Sequence, residues 1–383
     1  MNRYTIPGGS LISYMSMKLK TGGGINLAQG LPGFEPPAML LQHLFSLTQP
    51  QHHQYAPTTG LKPLVQFLTN EYAKEGLNKF NVMITNGATE ALSLLYLYIH
   101  QKKNAKLVVT SFDPAYESFI KLPEIYGDIF HPIELDPNGN KDLDELENEL
   151  AILRPDLFFL ASPGNPYGKT WSTNELVRMA ELAQKYNFTL VLDTVYHQLY
   201  RNQEPVRIPF EAFDEHVFIV NSFSKTLSIT GWRLGYLACH QSHFEALCNI
   251  HDFTGLNSPA PLQEAVWRFI NAGLMPEYTS WLRSQLVLSH QCLHNALLSN
   301  GFAISETGGG YFIWAKLPEP FTNGFKFAVD LYDTQKVAVV PGIHFSANAH
   351  KFIRFNFARP LPEINLAIEC ISTFIKTETL CNP

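Results

Sequence analysis

Short apolar and β-branched runs punctuate the first two thirds of the chain. They fall at Asn81–Thr85, Leu107–Ser111, Leu157–Ala161, Thr189–Leu192 and Val217–Val220, each bounded by polar residues, Gly or Pro. Runs this short and this continuously apolar predict strands buried on both faces. Between several of them lie stretches of helical period: in Thr173–Tyr186, Leu176, Met179, Ala180 and Ala183 repeat on one face. Alternating strands and helices predict an α/β fold, with a mainly parallel sheet covered by helices on both sides. After about Leu262 the pattern turns helical, and one long helix is expected around Ala265 to Ser299. Short strands then return at Tyr311–Lys316, Val337–Val340 and Phe352–Phe357, which predicts a second, smaller α+β domain. The Pro- and Gly-rich segment Gly22–Pro37 reads as an extended arm. The expected division is an N-terminal arm and part of the small domain (1–45), a large domain (46–280) and a C-terminal small domain (281–383).

The residues with chemical potential stand just after the predicted strands: Gly87, Tyr116, Asn165, Asp193, and Ser222 with Lys225. Right-handed crossovers put the carboxyl ends of parallel strands on one edge of the sheet, where open α/β folds bind ligands. Five polar loops are therefore expected to meet in one crevice.

Composition narrows the partners. With 383 residues, 45% apolar and 16% charged, the chain can bury a large core, and a net charge of −6 gives no electrostatic reason to expect nucleic acid or an anionic membrane. Neither a signal peptide nor a membrane span is visible, so a cytoplasmic protein is expected. The five cysteines are scattered and never spaced C-x-x-C, which favours reduced structural thiols. His290 and His294 share a helix face, but no third ligand lies close in sequence, so a solvated face is expected there and no metal.

The segment Asn221-Ser-Phe-Ser-Lys225-Thr-Leu-Ser-Ile-Thr-Gly-Trp-Arg233-Leu-Gly resembles the lysine motif of the class I and II aminotransferases, the fold-type-I pyridoxal-phosphate enzymes. The resemblance covers nearly the whole chain. Further matches follow in order: Tyr55-Ala-Pro-Thr-Thr-Gly60, Thr85-Asn-Gly-Ala-Thr-Glu-Ala91, Asp113-Pro-Ala-Tyr116, Gly164-Asn-Pro-Tyr-Gly168, Asp193-Thr-Val-Tyr196, and Pro341-Gly to Arg354. The arm Asn26–Pro37 is similar to that of the kynurenine, glutamine and methionine aminotransferase branch.

The resemblance implies that Lys225 holds pyridoxal 5'-phosphate as a Schiff base and, once released, acts as the general base. A lysine can do so only when neutral, and a crowded cationic site lowers its pKa in that direction. It further implies Asp193 at the pyridine nitrogen, Tyr116 stacked on the ring, and Tyr196 with Asn165 at the phenolic oxygen. The phosphate falls to the backbone of Gly87, Ala88 and Thr89 at a helix start, with Ser222 and Arg233. Arg354 and the backbone of Gly30 are implied to hold the substrate α-carboxylate. Tyr55 is implied to reach the phosphate of a neighbouring subunit in a homodimer. Asn165-Pro166 is a candidate cis peptide. Two positions depart from the usual family form, Tyr167 where Thr is common and Ser346 where Gly is usual.

The expected activity is transfer of the amino group of a neutral, aromatic, methionine-like or glutamine-like L-amino acid to a 2-oxo acid through a Lys225 aldimine, with ping-pong kinetics. By the same resemblance, the loop Phe253–Pro261 lies near where dicarboxylate-specific relatives bring an arginine from the partner subunit, and it carries no basic residue that could meet a distal carboxylate. A carbon–sulfur β-lyase on the same fold is the nearest alternative. A non-catalytic, ligand-sensing aminotransferase-like domain ranks lower, because Lys225 is intact and no separate DNA-binding domain is expected ahead of Asn26.

Overall fold

The structure is a computed structural model that describes residues 4–136, 139–201, 214–305 and 307–381. A short strand β1 (Ile25–Asn26) precedes the seven strands of the main sheet: β2 (Phe80–Thr85), β3 (Val108–Asp113), β4 (Ile129–Glu134), β5 (Leu157–Ala161), β6 (Thr189–Asp193), β7 (Val217–Ser222) and β8 (Gly235–His240). Their order across the sheet is β2-β8-β7-β6-β5-β3-β4. All pairings from β7 to β4 are parallel, and β8 runs antiparallel to both β2 and β7. Strands β2 to β7 therefore share one direction.

The continuous apolar character of these strands follows from their two covers. In β7, Val217 and Ile219 join the core on one face while Phe218 and Val220 join the core on the other. The same alternation divides Phe158 and Leu160 from Leu157 and Phe159 in β5. One face is covered by helices Ala88–Lys103 and Gln241–Thr254, the other by helices that include Thr173–Tyr186. The latter starts at a capping box between Ser172 and Glu175 and ends at Asn187 in the left-handed conformation. Its four periodic apolar residues are all buried.

Beyond the main sheet, β9 (Ala303–Ile304), β10 (Phe312–Lys316), β12 (Val340–Pro341) and β13 (Phe352–Asn356) form an antiparallel sheet in the order β12-β13-β10-β9, while β11 (Val337–Ala338) pairs with β1 in parallel. The stretch Val337–Val340 is thus two strands in two sheets. The expected single helix from Ala265 to Ser299 is also two, Ala260–Asn271 and Met275–Ser299, because Gly273 takes a φ of 72° between them. The N-terminal arm is lashed to the small sheet: Leu27 N–H donates to Ala338 O at 2.9 Å, Gly33 N–H to Ala358 O at 2.7 Å, and the Asn356 amide to Gln29 O and Leu31 O. His290 is only partly solvated. Its ring stacks on His294 and meets Phe357 edge-on, and burial pushes its pKa down to about 3. No helix among the described residues is long and apolar enough to cross a membrane.

Candidate active site

The carboxyl ends of β2, β3, β5, β6 and β7 open into one cavity of about 410 Å³, closed on the opposite side by the arm and the N-terminal helix Leu11–Gly22. Ala88, Thr89, Tyr116, Asn165, Asp193, Tyr196, Ser222, Lys225, Arg233, Gly30 and Arg354 all line it. Gly87 stands at its edge as the N-cap of helix Ala88–Lys103. Tyr55 does not line it and is 84% exposed.

Lys225 sits on the short helix Phe223–Thr226, whose N-cap Ser222 accepts the Ser224 N–H. Its Nζ donates to Gly30 O at 2.5 Å, so the arm supplies the lysine with its hydrogen-bond partner. Tyr311 OH fixes the same turn from the small sheet, donating to Lys225 O at 2.5 Å. Burial lowers the Lys225 pKa to about 8, with the Arg354 and Arg233 guanidiniums pushing the same way and Asp193 opposing. Asp193 ends β6 and accepts the Val195 N–H at 3.1 Å; burial raises its carboxyl to about 6. It remains mostly ionised at neutral pH.

Arg354, on β13, is 1% exposed. Nη1 donates to Asn165 Oδ1 at 2.8 Å and Nη2 to Ala28 O, while the guanidinium lies 4.1 Å from the Phe312 ring centre and 4.8 Å from that of Phe345. Nε has no partner. Its hydrogen bonds reach only neutral acceptors, and burial brings its pKa down to about 10 against the opposing pull of Tyr196 and Glu117. The Asn165–Pro166 bond is cis.

At the other end of the cavity, Gly87 adopts φ 83° and ψ 170°. A Cβ there would lie 2.6 Å from Arg233 Nη2. Gly235 at the start of β8 is equally constrained, since its Cβ would fall 2.7 Å from Gly87 C and 2.8 Å from Ala88 N. Two glycines thus bring β8, the Arg233 guanidinium and the helix N-terminus together. Arg233 Nη1 is held by Thr230 O at 3.0 Å. Ser222 Oγ donates to Leu234 O at 2.9 Å, whereas the buried Ser224 Oγ has no partner.

Three contributors escaped the sequence reading. Ser224 lines the cavity beside Ser222, and only the hydroxyl-rich character of the loop hinted at it. Ile12 and Glu117 line the cavity too, from the N-terminal helix and from the residue after Tyr116. Of the two departures, Tyr167 does not line the cavity; its ring packs where a Cβ on Gly139 would come within 2.2 Å. Ser346 donates from Oγ to Asp113 Oδ2 at 2.6 Å, a tie between its loop and the end of β3 that glycine cannot make.

A doubly covered, mostly parallel sheet whose strand ends converge on a buried lysine and an anion-seeking helix start is the architecture of a fold-type-I pyridoxal-phosphate enzyme. The chain belongs to the class I and II aminotransferases: the family described as aminotransferase class I and II matches residues 23–371. Enzymes of this family and fold use pyridoxal 5'-phosphate. The chain is 27% identical over 369 residues to a probable aspartate aminotransferase of Methanocaldococcus jannaschii, covering 92% of this chain and 94% of that one. It is likewise 27% identical to kynurenine–oxoglutarate transaminase 3 of Bos taurus, over 91% of this chain and 85% of the relative. Among solved structures, N-succinyldiaminopimelate aminotransferase from Mycobacterium tuberculosis superposes with a TM-score of 0.87 at 24% identity, covering 98% and 99% of the two chains, a likeness of fold.

The residues present fit the cofactor. The orphaned Ser224 hydroxyl, the Arg233 guanidinium and the N–H groups that begin helix Ala88–Lys103 are a donor set suited to a phosphate dianion. Asp193, at the end of the central strand β6, is an ionised acceptor suited to a protonated ring nitrogen.

Proposed function

We propose that this aminotransferase moves the amino group of a neutral L-amino acid, with an aromatic, methionine-like or glutamine-like side chain, to a 2-oxo acid. The observation that carries this reading is the charge inventory of the cavity. Its lining cations are Lys225, Arg233 and Arg354. Lys225 and Arg233 answer the cofactor and Arg354 the α-carboxylate, which leaves no cation among the described lining residues for a second carboxylate. The aspartate aminotransferase among the relatives carries that name for itself; the kynurenine transaminase is a relative whose named substrate fits a neutral-donor reading.

Bound pyridoxal phosphate supplies a sink for the electron pair left at Cα when a proton departs. Ser222, Ser224, Arg233 and the N–H groups of Gly87, Ala88 and Thr89 hold its phosphate. Asp193 keeps the ring nitrogen protonated, Tyr116 covers the ring face, and Asn165 with Tyr196 orient the phenolic oxygen. Arg354 and the Gly30 backbone grip the α-carboxylate, and this completes the pairing that Nε lacks. Lys225, with its pKa lowered to about 8, carries a usable neutral fraction at physiological pH and moves the proton from Cα. Ile12 and Leu31 add apolar surface to the cavity lining. We place Tyr55 at the phosphate of a second copy, in a homodimer with composite sites; its exposure on the protomer supports this.

The test is a comparison of kcat/KM for phenylalanine, methionine, glutamine and aspartate against several 2-oxo acids. The neutral donors should exceed aspartate, and a clear preference for aspartate would overturn the pocket reading. An active monomer in sedimentation would refute the composite site.

A further inference from the structure

Glu117 is the acidic side chain of the cavity lining that the chemistry above does not use. It follows Tyr116 as the first residue of helix Glu117–Tyr126, where the helix dipole favours its charge. Two contacts fall on the same oxygen: Ser10 Oγ donates to Oε2 at 2.9 Å, and His344 Nε2 lies 2.9 Å from Oε2. The Leu11 N–H points at His344 Nδ1 at 3.4 Å. Ser10 and His344 orient the Glu117 carboxylate, and Arg354, which lines the same cavity, also favours its charged form. The His344 side chain beside it holds the Glu117 carboxyl below the usual carboxylate range, so it is ionised at neutral pH.

We propose that Glu117 is a specificity-determining residue, an anionic wall that rejects amino acids and 2-oxo acids bearing a distal carboxylate and admits neutral side chains. The proposal rests on the aminotransferase reading of the cavity. It adds a repulsive element to the missing distal cation, and specificity is built from such like charges as well as from favourable contacts. The Ser10 and His344 contacts come from the start of the N-terminal helix and from the loop after β12, so two segments distant in sequence fix the Glu117 carboxylate.

Binding of two unreactive acids to the holoenzyme tests it calorimetrically: glutarate, with a distal carboxylate, and 3-phenylpropionate, without one. Glu117→Gln should tighten glutarate about tenfold, since removing a like charge worth ~1.4 kcal/mol changes an equilibrium constant by that factor. In the same variant 3-phenylpropionate should change less than about twofold, a split expected when only the charge was acting. Glu117→Ala should repeat the result, so the test survives failure of either variant to fold. Glu117→Asp should keep the wild-type ratio. Glutarate affinity unchanged in the neutral variants, or both acids shifting together, would overturn the proposal. Wild-type half-reactions with methionine and glutamate separate the two levels: if no amino acid reacts, the transamination reading falls while the ratio of the two acids still decides the role of Glu117.

Discussion

Replacing Gly87 by alanine perturbs the phosphate end of the cavity in a way the structure makes quantitative. At φ 83° and ψ 170° the residue lies in a region open essentially to glycine alone, and a side chain there costs about 1–3 kcal/mol of backbone strain. That cost is present with or without cofactor and appears in the stability of both forms. The new Cβ would also fall 2.6 Å from Arg233 Nη2 and 3.0 Å from Cζ, so the guanidinium must leave its place. Losing one charge-assisted hydrogen bond to phosphate is worth about 1.5–3 kcal/mol, or about 10- to 100-fold in cofactor affinity. Denaturant unfolding of apoprotein and fluorescence titration with pyridoxal phosphate read the two effects separately. Gly8→Ala, at a position with open space around its Cβ and no positive φ, is the control and should move neither. A Gly87→Ala protein with wild-type stability and affinity within about twofold would refute the assignment of this helix start as the phosphate cradle.

Three further outcomes follow from the same geometry. Arg354→Lys keeps the charge but cannot reproduce the forked contacts to Asn165 and Ala28, so KM for the amino acid should rise on the order of 10-fold or more with little change in cofactor affinity, and steady-state kinetics with cofactor titration check this. Asp193→Ala should lower kcat on the order of 10²- to 10³-fold while circular dichroism shows an unchanged fold; near-normal turnover would contradict its role at the ring nitrogen. The Lys225 amine has a folded pKa of about 8 against an ordinary 10.5, so between those values the unfolded chain binds more protons and apoprotein stability should rise with pH. Chemical denaturation between pH 8 and 10.5 should show that rise in wild type and a flatter profile in Lys225→Met.

Much of this was legible in the sequence because the physics acts locally. A strand buried on both faces has no polar positions to interrupt it, so β5, β6 and β7 announce themselves. Strand β4 does not: as the sheet's edge it leaves Ile129, His131, Pro132 and Glu134 exposed and reads as loop. Strand β8 is fully buried, yet it directly follows the lysine motif and runs against its neighbours, which a strand-helix alternation does not anticipate. The break at Gly273 was masked by helical period on both sides of it. In the site, residues on strand ends and tight turns were found by spacing and resemblance. Ser224, Ile12 and the Glu117–His344 contact were not, because their roles come from side chains that meet across distant segments.

The central claim is that Lys225 is the amine that carries the cofactor. Its most direct test is borohydride reduction of the holoenzyme followed by peptide mapping. The visible absorption should vanish and the reduced cofactor should be found on Lys225 alone, with Lys225→Met binding pyridoxal phosphate without forming a reducible adduct. Cofactor bound and reduced at another lysine, or bound with no lysine adduct at all, would contradict the account.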